Sequence, residues 1–218
     1  MARFALYYTP PPGALALFGA RWLGWDVARG AEPDSAPDTG LDDALRGRLV
    51  ERPARYGLHA TLKAPFTLAP GAGVDDLQDA CAAFCRETAP ARCDGLRLAR
   101  LGRFLALVAD GDSSQIDALA AAVVRRFDPL RAPLSAQDRA RRNPDRLTAA
   151  QVAHLDRWGY PFVMDAFRFH ITLTGPLPAG SEDRVDAALR RAVDPVLPRP
   201  FAIDALSVCE EGPDGRFR

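Results

Sequence analysis

The sequence predicts an α+β fold of two pseudo-symmetric lobes. Each lobe is an antiparallel sheet flanked by helices, and the site lies in the cleft between them. Three observations lead there. Short alternating segments are interleaved with amphipathic helical ones, but not in the strict alternation of a doubly wound parallel sheet. The stretch "GLRLARLGRFLALVAD" alternates on both sides of "LGR" and reads as a hairpin over residues 95–109. Two further strand-like stretches, "YGLHATLKAPF" and "FRFHITLTGPL", carry the same His-x-Thr-Leu tetrapeptide about half a chain length apart, and each is followed by a turn and an amphipathic helix.

The elements follow in order. Residues 2–9, "ARFALYYT", form an aromatic-rich strand that Pro10–Pro12 stops. Residues 14–29 form a helix with glycine interruptions, and "GAEPDSAPDTG" is a loop by its Pro, Gly, Asp and Ser content. A short helix spans 41–51, the first His-Thr strand 57–68 and an amphipathic helix 74–88. After the hairpin, "DSSQIDALAAAVVRRF" opens with capping residues and is helical. Residues 128–165 form a helical, arginine-rich insert or lid with two short helices, "SAQDRARR" and "TAAQVAHLDRWG". The second His-Thr strand, the capped helix "SEDRVDAALRRAV" and the strand "FAIDALSVCEE" follow. The chain then ends just after "GPDG", so the last strand is barely begun, which would leave an exposed edge or call for a partner chain.

Bulk properties narrow the function classes. A chain of 218 residues with 48% hydrophobic composition can bury the core of one domain of two lobes over 1–218. Its 28 basic and 28 acidic residues cancel, which argues against a general binder of nucleic acid or anionic membrane. No apolar run approaches the roughly 18 residues of a membrane span. The N-terminus has no signal-peptide pattern, so a cytoplasmic protein without membrane partners is expected. Cys81 and Cys85 sit four apart on a helical pattern as two small hydrophobes, with no second Cys or His pair at zinc spacing.

Histidine occurs only three times, and two of the three have Thr at the second following place. On a strand, alternate side chains share a face. His59, Thr61 and Lys63 therefore share one face, and His170, Thr172 and Thr174 share another. A polar face on otherwise apolar strands is costly unless it is satisfied or used. Two imidazoles can act as general base and general acid, and two threonine hydroxyls can hold phosphate oxygens. Facing one another across a cleft, the four groups suit an in-line displacement at phosphorus. No cofactor or metal is expected, because no carboxylate or histidine cluster at ligand spacing accompanies the pair.

The paired "HATL" at 59–62 and "HITL" at 170–173 resemble the two-histidine (2H) phosphoesterase superfamily, whose signature is two H-x-[ST]-apolar tetrapeptides in a two-lobed α+β fold. The wider context, "RYGLHATLKAPF" with "GYPFVMDAFRFHITLTGPL", is similar to a branch found beside carbon–phosphorus lyase genes of bacterial phosphonate use. The resemblance implies a metal-independent cyclic phosphodiesterase, a phosphoric diester hydrolase, acting on a small cyclic phosphate such as phosphoribosyl 1,2-cyclic phosphate. It carries catalytic roles onto His59 (acid), His170 (base), Thr61 and Thr172. RNA ending in a 2′,3′-cyclic phosphate is the alternative partner. The alternative outside enzymology is a non-catalytic module that holds a phosphorylated metabolite.

Other residues extend the expected site. Lys63 could meet a second phosphate, with Thr174 in the matching place on the other strand. Tyr7, Tyr56 and Tyr160 stand on or beside the marked strands as substrate-binding candidates. His154 lacks a following threonine and reads as a helix-surface residue, while Trp22, Trp25 and Trp158 bury apolar area. From Arg125 to Arg146 there are seven arginines against three aspartates. This is either a solvated helical surface or an electropositive cover over an anionic ligand. The oligomeric state is not legible.

Overall fold

The computed structural model describes residues 2–218. Strand β1 (Phe4–Tyr8) precedes helices α1 (Ala14–Leu23) and α2 (Asp43–Val50). Then come β2 (Ala60–Phe66), α3 (Val74–Glu87), β3 (Ala91–Cys93), the hairpin of β4 (Gly95–Leu101) and β5 (Phe104–Asp110), and α4 (Ser114–Phe127). Short helices α5 (Ala136–Arg141) and α6 (Ala149–Trp158) lead to β6 (Ile171–Thr172), α7 (Glu182–Val193), β7 (Phe201–Ile203) and β8 (Ser207–Glu210).

The fold is α+β with antiparallel sheets flanked by helices, as the pattern predicts. The larger sheet has the order β4-β5-β6-β2-β1-β8, and β3 and β7 make a two-stranded second sheet. Every pairing is antiparallel. The two groups of strands do not face each other as separate sheets. They join into one, with β8-β1-β2 on one side, β6-β5-β4 on the other and the β2–β6 pair as the seam.

Local chemistry sets the ends. Helix α1 stops at Leu23 because Gly24 takes a left-handed φ of 73° and its N–H closes on the Ala20 carbonyl, so the sequence's longer helix is cut short. The Asp42 carboxylate caps α2 by accepting from the Leu45 N–H. A capping box of Thr148 and Gln151 starts α6. The second marked strand is only two residues long. Beyond it the Leu173 and Thr174 N–H groups both turn to the Leu105 carbonyl, and the Gly175 N–H leaves the sheet for Leu49. "FAIDALSVCEE" is two strands, one pairing with β3 and the other with β1.

The expected exposed edge at the last strand is not what forms. The Gly212–Gly215 turn returns the tail, and Arg218 and Glu210 exchange both backbone hydrogen bonds. Phe217 is fully buried, its N–H donating to Arg55 and its carbonyl accepting from the Trp25 indole at 2.7 Å.

The faces of the sheet differ. One carries Leu6, Tyr8, Leu62, Leu105, Leu107, Ile171 and Leu173 against buried residues of α1, α2, α3, α4 and α7. The other holds a smaller cluster of Ala5, Tyr7, Trp25, Val27, Cys209 and Phe217, with Tyr56 packed on it. The marked histidines lie on this second face. Among the described residues no helix is long and apolar enough to cross a membrane.

Candidate functional site

The site follows from one register. Ala60 of β2 pairs with Ile171 of β6, and both side chains enter the main core. In an antiparallel pair the neighbouring positions then oppose one another: Thr61 stands across from His170, and Thr172 across from His59. All four side chains emerge on the face opposite the main core. Each His-x-Thr unit thus supplies one imidazole and one hydroxyl to a patch at the seam.

The two histidines are oriented by the same device. His59 Nδ1 lies 3.0 Å from the carbonyl of Gly57, and His170 Nδ1 lies 2.8 Å from the carbonyl of Arg168, in each case two residues upstream. A carbonyl only accepts, so each Nδ1 carries the proton and each Nε2 is presented to the patch. His59 Nε2 accepts from the Thr61 hydroxyl at 3.2 Å. The Gly57 carbonyl is aimed by a left-handed φ of 65°, and any Cβ there would lie 2.7 Å from Val27 Cβ.

His59 is enclosed by aromatic rings. Tyr7 lies 4.1 Å away centroid to centroid, Tyr56 lies 5.6 Å away, and Phe217 stacks on Tyr56 at 5.3 Å. Burial pushes the imidazole pKa down to about 4, the Gly57 hydrogen bond works against this, and the His170 charge lowers it further. His59 is therefore neutral near pH 7, with an Nε2 lone pair able to accept. The Tyr7 phenol is held well above its ordinary range, first by burial, so it remains a neutral donor.

The structure gathers some predicted residues and removes others. Tyr7 pairs with Thr61 across β1–β2 and lies at the site with Tyr56. Tyr160, from the segment after α6, lies under the Arg142 guanidinium at 5.0 Å and edge-on to Phe162, and burial holds its phenol above the ordinary range. Lys63 does not join them. The β1–β2 register shifts so that Tyr7 meets Thr61 while Leu6 meets Lys63, a bulge that turns Lys63 to the helix-covered face. There it is 3% exposed, 3.5 Å from the Val124 carbonyl and 3.9 Å from Asp128. Thr174 is not at the site either. Its hydroxyl is buried, accepting from the Leu105 N–H at 2.9 Å and donating to the Gly175 carbonyl at 2.8 Å.

Three residues at the site were not anticipated. Ala106 pairs with Thr172 and shares its face of the sheet. Phe104, two places before it on the same face, lies 6.0 Å from the His170 ring. Phe217 closes the aromatic stack behind His59. The alternation of β5 gives the shared face of Phe104 and Ala106, but only the sheet order brings that face to β6. His154 pairs with Asp165. Among the described residues no group of three or more His, Cys, Asp or Glu side chains is placed to hold a metal ion.

The fold and site define an α+β protein with two His-x-Thr units side by side at the seam of one antiparallel sheet. Residues 61–218 match the family described as "Protein of unknown function (DUF1045)", and the chain belongs to that family. The chain is also similar to curated proteins. It is 39% identical over 219 residues to the ribose 1,5-bisphosphate phosphokinase PhnN of Janthinobacterium sp. (strain Marseille), covering 97% of this chain and 48% of that protein. It is 36% identical over 178 residues to the protein of the same name from Laribacter hongkongensis (strain HLHK9), covering 80% of this chain and 40% of that one. The chain spans about half or less of the length of these relatives.

These relatives correct the expected activity. Both are named for a phosphokinase, a phosphoryl-transferring enzyme. The cyclic phosphodiesterase, and with it the phosphoric diester hydrolase class and the RNA-end variant, is overturned by that finding. The expectation rested on a resemblance carried by two tetrapeptides and their flanking residues, and such motifs specify a patch of side chains rather than a reaction.

Proposed function

We propose that this chain binds a small phosphorylated ribose in phosphonate metabolism, with His59, Thr61, His170 and Thr172 as the ligand-holding groups. The observation that carries the reading is the Ala60–Ile171 register, which sets two imidazoles and two hydroxyls on one patch. Threonine hydroxyls donate to phosphate oxygens, and when Thr61 turns its proton from His59 to a phosphate oxygen, the freed Nε2 lone pair of neutral His59 accepts from a sugar hydroxyl. Tyr7 and Tyr56 give the sugar an aromatic wall. The relatives' name, ribose 1,5-bisphosphate phosphokinase PhnN, supports a phosphorylated pentose as the ligand class and phosphonate use as the setting. Because the chain spans only part of those proteins, it is read as a ligand-holding part, with residues 128–165 as a wall above the site. The paired His-x-Thr strands also support an architectural kinship with the two-histidine superfamily.

The test is calorimetric titration with ribose 1,5-bisphosphate and ribose 5-phosphate. Wild-type protein is expected to bind. Thr61→Val and Thr172→Val, which keep shape and remove a hydroxyl, are each expected to weaken binding about tenfold or more, the worth of a hydrogen bond to a charged group. Unchanged affinity in both variants, or no binding of either sugar phosphate by folded wild-type protein, would end the proposal.

A further inference from the structure

A separate cavity of about 190 Å³ lies between the far end of β2 and the segment carrying α5 and α6. Arg3, Arg131, Arg141 and Arg142 line it, with Asp138 as its acidic member. Thr61 and Pro65, which marks the near edge of the cavity, are four residues apart on β2, about 13 Å along a strand. The cavity and the quartet are therefore separate places.

The walls are built rather than incidental. The Ala132 N–H donates to the Thr67 carbonyl and the Ala69 N–H to the Leu130 carbonyl, stitching the start of the insert to the end of β2. Arg131 is fixed by three hydrogen bonds, to Asp128 and to the carbonyls of Ala132 and Arg157. Gly159 stands close enough that a Cβ there would lie 3.1 Å from the Arg131 guanidinium. Arg3 is held by two bonds of 2.6 Å to Glu211. Arg141 leans on Asp138 at 3.1 Å. Arg142 differs from the other three. Its guanidinium lies over the Tyr160 ring at 5.0 Å, and among the described residues no carboxylate pairs with it. Contact with a ring face leaves the in-plane N–H donors of a guanidinium available.

We propose that this cavity is a second anion site, distinct from the His-Thr quartet, that takes the phosphate group of a small phosphorylated metabolite. The four lining arginines exceed the one lining aspartate, and guanidinium forks match phosphate oxygens bidentately. Arg142 supplies the uncommitted donors, while Arg3 and Arg131 are held in place by their carboxylates as fixed positive walls. The basic segment between Arg125 and Arg146 thus has a concave use that a solvated helix surface would not.

The test follows the arginine Nε–H signals by NMR as inorganic phosphate is added, with chloride at matched ionic strength as the control. Saturable shifts of Arg142 and Arg141 that chloride does not reproduce are expected, and they should persist in the Thr61→Val/Thr172→Val protein. That variant separates this site from failure of the quartet reading. Arg142→Gln should weaken phosphate binding about tenfold or more, as loss of a charge-assisted contact does, and Arg141→Gln, at a more exposed position, should weaken it less. Shifts that never saturate, that chloride matches, or that survive Arg142→Gln in a protein with wild-type circular dichroism would each overturn the second site.

Discussion

Acidification from pH 7 to pH 5 should destabilise the protein through His59. Its imidazole has a folded-state pKa of about 4 against an ordinary value of 6.5, mainly because burial disfavours the charged form. The unfolded chain takes up a proton as pH falls through 6.5, and the folded chain resists until about 4. Stability is therefore complete above the unfolded value, declines as pH falls between the two values, and levels off below the lower one. At pH 5 this amounts to about 2 kcal/mol from one group, an upper figure because the residue is only partly shielded from water. Depressed carboxylates such as Asp42, Asp112 and Glu211 lose their contribution only at lower pH, since their ordinary values are 3.8 to 4.5 and their folded values lower still. Urea unfolding at the two pH values, for wild type and His59→Gln, isolates the effect. The variant should lose markedly less stability on acidification, and the His59 ring signal should not titrate between pH 7 and pH 5. A ring midpoint near 6.5, or equal acid sensitivity in both proteins, would refute the reasoning.

Gly57→Ala should cost about 1–3 kcal/mol in urea unfolding, because the left-handed backbone and the close Val27 side chain both resist a Cβ. It should also push the His59 midpoint further down in the same NMR titration, since the Gly57 carbonyl contact that raises the imidazole pKa is disturbed. Trp22→Phe should cost about 1–3 kcal/mol by leaving the buried Leu173 carbonyl without its 2.8 Å indole partner, one residue beyond Thr172. Lys63→Met should cost less than about 1 kcal/mol, because Asp128 keeps Arg131 and Arg157 at 3.0 Å each and is not left as an unpaired buried charge. A loss of several kcal/mol in thermal or urea unfolding would show instead that the lysine is the essential partner of Asp128.

The helices were legible because their signals are local. The "VDDLQDACAAFCRE" stripe and the Thr148–Gln151 box each act within one or two turns, while the Ser113 side chain at the entry to α4 turns to Asp117 and does not cap the helix. Period-2 alternation is local too, and it puts His59 on the face of Thr61 and His170 on the face of Thr172, the arrangement that the Ala60–Ile171 register sets side by side. Lys63 and Thr174 show where that reasoning ends. A bulge is one extra residue against a partner strand, and nothing in "HATLK" marks it; the shift appears only when β1 is laid alongside. Thr174 left the ladder because the Leu105 and Leu49 carbonyls, both remote in sequence, captured the backbone there. Phe217 was missed for the same reason: its place depends on the turn at Gly212–Gly215 and on Trp25 and Tyr56 receiving it.

The seam also explains why one motif occurs twice without two facing sheets. A lone His-x-Thr strand offers one imidazole and one hydroxyl on the same face, too few groups to surround a phosphate. Pairing two such strands antiparallel through the intervening apolar residue sets His against Thr in both directions, so a single register assembles the patch. The same register buries Ala60 and Ile171 in the main core, which ties the geometry of the patch to the stability of the sheet. A one-residue slip would turn all four polar groups into the core and expose both apolar partners, at a cost of several kcal/mol from burial alone. Ligand binding at the patch should therefore be insensitive to substitutions on the exposed helices and sensitive to volume changes at Ala60 or Ala106. Ala106→Val, at the fully buried position paired with Thr172, is the sharper of the two. It should reduce sugar-phosphate affinity more than it reduces stability, because the added methyls crowd the hydroxyl from the side of β5. Equal proportional losses in calorimetric affinity and in unfolding free energy would mean that the added methyls act through the sheet as a whole and not by crowding the Thr172 hydroxyl.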